Sequence, residues 1–142
     1  MAQAEFHEVM PVDKDKLFAT ITDYENYPGF VSGVKRAKVE NREKGRARVT
    51  YHISMIRDVE YTIELEENET EGSVKWELVS SDSFRSNRGF WKLKPVGPGK
   101  TEVQYNVELE FTFPAPAFLL SKIVKGSLPA MVKSFVDRAN NR

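Results

Sequence analysis

Three tyrosines, Tyr51, Tyr61 and Tyr105, stand in segments where apolar and polar residues alternate. A buried phenol is a neutral hydrogen-bond donor, and several converging on one space would hold a carbonyl, hydroxyl or enolate oxygen. With Arg88 they are the candidates for any enolate-stabilising chemistry. Other reactive arrangements are thin. The two histidines, His7 and His52, have no serine or aspartate motif beside them and read as surface or hydrogen-bonded strand residues. No His-x-x-x-His pair suggests zinc, and no glycine-rich loop suggests a phosphate site. There are no cysteines, so thiolate ligands, thiol nucleophiles and disulfides are all excluded. No catalytic residue, metal or cofactor is assigned, and binding is favoured over catalysis.

The segments that carry the tyrosines are strands. From Val34 to Phe113 the hydrophobic period is two. Ala47, Val49, Tyr51, Ile53 and Met55 share one face; so do Val59, Tyr61, Ile63 and Leu65, then Val74, Trp76 and Leu78, then Trp91 and Leu93. The clearest run is Val103 to Phe113, with Tyr105 and Leu109 on its apolar side. Short glycine-bearing links suit hairpins. A first strand over residues 3–9 precedes a helix capped by Asp13, and the aromatic stretch Asp23 to Val31 follows, ended by Pro28-Gly29. Near the C-terminus Ala117, Leu120, Val124, Leu128, Met131 and Phe135 recur at helical spacing, with Lys122, Lys125, Lys133 and Asp137 opposite. Gly126-Ser127-Leu128-Pro129 predicts a kink or restart, Ser127 serving as an N-cap.

Seven strands and one long helix share their apolar faces only if the sheet curls around the helix. Such a grip leaves a hollow, or else a packed core lined by the same residues. The expected lining is Tyr27, Phe30, Tyr51, Met55, Tyr61, Trp76, Trp91, Tyr105, Leu109, Leu120, Val124, Leu128 and Met131, with Tyr27 and Phe30 as a rim or lid.

Charge narrows the partners. Lys+Arg and Asp+Glu both number 21, which argues against a protein that blankets nucleic acid. The distribution is uneven: Lys35 to Arg48 holds seven bases against two acids, and Glu60 to Glu71 holds six acids and no base. A solvated strand face explains both more simply than a docking patch does. The N-terminus shows no signal peptide, and no apolar run reaches transmembrane length, so a cytoplasmic protein is expected.

Three stretches resemble the START-like (SRPBCC, helix-grip) superfamily, and within it the polyketide cyclase/dehydrase and coenzyme-Q-binding group. They are Asp23-Tyr24-Glu25-Asn26-Tyr27-Pro28-Gly29-Phe30-Val31, Gly89-Phe90-Trp91-Lys92-Leu93-Lys94-Pro95 with Gly99-Lys100-Thr101-Glu102-Val103, and Met131-Val132-Lys133-Ser134-Phe135-Val136-Asp137-Arg138-Ala139. The resemblance implies an α+β helix-grip fold, a curved antiparallel sheet around a long C-terminal helix in the order β-α-α-β6-α, with residues 1–142 one ligand-binding domain. It implies a hydrophobic small-molecule partner: a lipid, an isoprenoid quinone or an aromatic polyketide. Cyclase or dehydratase activity in the same cavity is the first alternative. Contact with a ribosome, as one bacterial branch is named for, or with a membrane surface is the second. No strong nucleic-acid signal accompanies it.

Overall fold

Alternation in the middle of the chain folds as one antiparallel sheet. The computed structural model describes the backbone of residues 2–54 and 57–142, and the side chains within those ranges except residues 2, 119, 120 and 122–126. Strand β1 (Ala2–Met10) leads into α1 (Lys14–Ile21) and a 3-10 helix (Tyr24–Gly29). Six strands follow: β2 (Val34–Glu43), β3 (Arg46–Ser54), β4 (Asp58–Asn68), β5 (Ser73–Ser81), β6 (Phe84–Gly97) and β7 (Lys100–Phe111). Helix α2 (Ala117–Asn140) comes last. The strands lie in the order β1-β7-β6-β5-β4-β3-β2, so the first pairs with the last and β2 forms the far edge. This is the expected helix-grip arrangement.

Local chemistry explains the boundaries. The Asp13 carboxylate accepts from the Lys16 backbone N–H at 3.1 Å, capping α1, and Leu17, Phe18 and Ile21 turn inward. The 3-10 helix stops on Pro28-Gly29, as that dipeptide dictates. Gly45 and Gly99 take φ of 81° and 67° in the β2–β3 and β6–β7 hairpins, a region that side chains disfavour.

Breaks in strand register supply the curl. Irregularities fall at Val34/Arg36 and Val39/Asn41 in β2, Thr62/Ile63 in β4, and Phe84/Ser86 and Pro95/Gly97 in β6. Each adds local bend and twist, which wraps the apolar face inward. The ladder between β5 and β6 runs only from Ser73↔Lys92 to Trp76↔Gly89. At its end a Cβ on Gly89 would fall onto the Asn106 carbonyl and within 2.6 Å of the Trp76 ring. Glycine is therefore what lets the indole lie against β6.

Helix α2 departs from expectation in two ways. It runs without interruption through Gly126 to Pro129, with Pro129 inside it, so the expected restart with Ser127 as N-cap does not occur. Among the described side chains the buried face is also wider than one stripe. Leu128, Val132, Phe135, Val136 and Ala139 are buried and Met131 is half-buried, whereas Ala117 is exposed next to Phe118, 73% exposed. The reason for the width is that α2 packs against both β1 and α1, while Phe135 meets Trp91 on the sheet. Asn140 Nδ2 donates to the Pro11 carbonyl at 3.0 Å, tying the helix end to the β1–α1 turn. Lys133 and Asp137 face solvent and pair at 3.4 Å. The expectations for the side chains of Leu120, Lys122, Val124 and Lys125 lie outside the described residues. Among the described residues no helix is long and apolar enough to cross a membrane.

The candidate ligand cavity

Strand parity delivers the tyrosines to one place. On β3, Ala47, Val49 and Tyr51 are buried; on β4, Val59, Ile63 and Leu65; on β7, Val103, Tyr105, Leu109 and Phe111. Between this face and α2 lies a cavity of about 570 Å³, within the range of small-molecule pockets. Of the expected lining residues, Tyr27, Tyr51, Tyr61, Trp76, Trp91, Tyr105, Leu109, Leu128 and Met131 are on its wall. Met55 and the side chains of Leu120 and Val124 fall outside the described residues. Phe30 is displaced from the expectation. It packs behind the wall, with its ring 5.1 Å from Phe135 and 5.7 Å from Tyr27, under the Arg138 guanidinium. The lining residues that are also exposed are Ser32, Gly33, Ser54, Ser127 and Ala130. The cavity thus reaches the surface between the turn before β2, the end of β3 and the middle of α2, with Tyr27 deeper than a lid would be.

The wall is a horseshoe of aromatic rings. Phe84 meets Tyr61 edge-on at 5.1 Å, Tyr61 meets Tyr51 at 5.5 Å, and Tyr51 stacks on Tyr27 at 5.7 Å. Tyr27 meets Phe135 at 5.1 Å, Phe135 meets Trp91 at 5.1 Å, and Trp91 and Trp76 flank Tyr105 at 4.7 and 5.6 Å. Beside Trp76 stands a side chain that strand alternation could have flagged. Asn87 shares the parity of Gly89, Trp91 and Leu93; it is buried, lines the cavity, and accepts from Trp76 Nε1 at 3.0 Å.

Polar chemistry on this wall is neutral. Burial holds the Tyr51, Tyr61 and Tyr105 phenols above their ordinary pKa, so they stay protonated as donors. Burial raises Tyr27 as well, and its hydroxyl donates to the Ile21 carbonyl. Arg88, proposed with the phenols as an enolate holder, is excluded from the cavity. It lies on the opposite face of β6, where its Nε donates to Glu108 at 2.8 Å. Parity is the reason: a residue next to inward Asn87 and Gly89 must point out.

Outside the cavity, the charged segments neutralise each other. Arg48 and Arg46 on β3 reach Glu64 and Glu66 on β4 at 3.0 and 3.3 Å, Arg42 reaches Glu67 at 3.3 Å, and Lys35 reaches Asp58 at 2.9 Å. Antiparallel pairing sets the basic run beside the acidic one. His7 and His52 pair with Glu102 and Glu60, each at 2.6 Å, as strand-surface histidines.

A family described as polyketide cyclase / dehydrase and lipid transport matches residues 10–136. The chain belongs to that family. Membership supports either hydrophobic-ligand binding or cyclase-type activity for a chain of this fold. The fold is shared with an aromatase/cyclase, Zhui, from Streptomyces sp. R1128, at TM-score 0.87 and 10% identity, covering 99% of this chain and 94% of that one. A START superfamily protein from Mycobacterium smegmatis superposes at TM-score 0.86 and 17% identity, covering 99% of each chain. In sequence the chain is also similar to the ribosome association toxin RatA of Escherichia coli K12, 19% identical over 139 residues, 98% of this chain and 87% of that protein.

Proposed function

We propose that this protein binds and carries a hydrophobic small molecule, such as a lipid, an isoprenoid quinone or an aromatic polyketide-like compound, in the cavity between sheet and α2. The observation that carries the reading is the horseshoe of rings around about 570 Å³ of space. Apolar walls bind through desolvation, at about 25 cal/mol per Å² of apolar surface removed from water. Every described wall residue is uncharged, and none is a histidine or a carboxylate. Proton transfer on the described wall would fall to tyrosines that burial keeps protonated, able to donate a proton but poor at abstracting one, which favours carriage over a cyclase reaction. Native mass spectrometry of freshly purified protein, followed by organic extraction, tests the reading. A near-stoichiometric apolar molecule is expected. An empty protein that also fails to take up a quinone or a fluorescent fatty acid would remove the reading.

A second reading, contact with a ribosome, is favoured by the name of the RatA relative. The exposed edge strand β2, carrying Lys35, Arg36 and Lys38, is the surface that reading requires. Its signature is co-sedimentation with ribosomes that weakens as salt rises. No co-sedimentation at low salt would dismiss it, since most of the neighbouring positive charge is already met by β4.

A further inference from the structure

We infer that Asn87 and Tyr61 form a hydrogen-bond donor subsite inside the cavity, one that receives the acceptor oxygen of a carbonyl-bearing ligand. The inference rests on the cavity reading above and adds to it the chemistry of the ligand's polar end.

An indole N–H can only donate. Trp76 Nε1, 3.0 Å from Asn87 Oδ1, therefore fixes the amide with its oxygen on the indole. The amide nitrogen is left to face away from the indole. Neither the Asn87 amide N–H groups nor the Tyr61 O–H has a protein acceptor among the described residues. Neither is sealed in: among the described residues no buried side-chain nitrogen or oxygen is both closed to solvent and unpartnered. Both residues line the cavity, and Asn87 is only 5% exposed.

The arrangement has a direction. Trp76 donates to Asn87, which leaves the Asn87 amide N–H groups and the Tyr61 O–H to donate into the space. A bond accepted at the amide oxygen polarises the amide, so its N–H groups are better donors than those of an isolated amide. The Asn87 oxygen already accepts a bond, so donors predominate at this corner. A ketone, quinone, ester or carboxylic acid carbonyl satisfies it; a hydrocarbon end leaves buried donors without a partner, the more costly outcome. The site sits where the β5–β6 ladder ends at Trp76↔Gly89, and the Trp76–Asn87 bond spans the strands just beyond.

The test compares two probes of nearly equal shape, 2-acetylnaphthalene and 2-ethylnaphthalene, titrated against the whole chain and followed by quenching of Trp76 and Trp91, which both line the cavity. The native protein should bind the ketone about three- to tenfold more tightly, the worth of one or two net hydrogen bonds. Asn87→Leu should erase that preference, read as the ratio of the two affinities. Because Asn87→Leu strands the Trp76 N–H and can impair folding, Tyr61→Phe is the second arm. It keeps the ring against Phe84 and Tyr51 and should erase most of the preference in a protein that melts normally. Equal binding of both probes, or a preference that survives both substitutions, overturns the subsite and leaves the cavity reading standing. Failure of both probes to bind overturns the subsite and the cavity reading together.

Discussion

Phe135→Ala should cost about 3–5 kcal/mol of folding stability, the usual range for truncating a core phenylalanine. Phe135 is 2% exposed, and its ring meets Tyr27, Phe30 and Trp91, each at 5.1 Å and each near edge-on. Such aromatic pairs are worth about 0.5–1.5 kcal/mol each beyond the area they bury. The loss is large for a further reason. Phe135 is where α2, the 3-10 helix segment and β6 meet, so the vacated space joins an existing cavity that has no side chain free to collapse into it. Thermal melting should fall by about 10–20 °C for a chain of this size. A drop of only a few degrees would show that α2 is not gripped through this residue.

Filling the cavity should separate an open site from a packed core. Val107 and Leu109 lie two residues apart on β7, on one face, and both line the space. Val107→Trp combined with Leu109→Trp places two indoles into it. If they displace about 60 Å² of the ligand's apolar contact, binding weakens by about 1.5 kcal/mol, or about tenfold. The protein should stay folded, because the indoles enter space that is already empty. In a packed core the same pair would force neighbours off their rotamers at about 1–3 kcal/mol per site and lower the melting temperature instead. About tenfold weaker uptake of a fluorescent fatty acid with melting retained is the expected result; unchanged uptake with lowered melting contradicts it.

Much of the fold was legible in the amino-acid order, for a local reason. A half-buried strand must alternate, so Tyr51, Tyr61, Trp76, Trp91, Tyr105 and Leu109 declared their shared face without reference to one another. Asp13 declared the start of α1, and the glycines of the hairpins declared the turns. The same parity, carried two residues back from Gly89, places Asn87 inward and Arg88 outward; applied there, it identifies the amide and discards the guanidinium.

What tertiary structure alone decided is how these faces meet. Helical spacing put Ala117 in a stripe with Phe135, but only the packing of α2 against β1 and α1 determined that its C-terminal half is buried on two sides while Ala117 is exposed. Composition showed a basic run and an acidic run; antiparallel register placed β3 beside β4, so that Arg46 and Arg48 meet Glu64 and Glu66. Periodicity left a hollow and a packed core equally open, because it records which side a residue faces and not how far away the opposite wall stands. That distance is set by the register breaks that curl the sheet and by the line α2 takes across it, both sums over contacts between residues far apart in the chain.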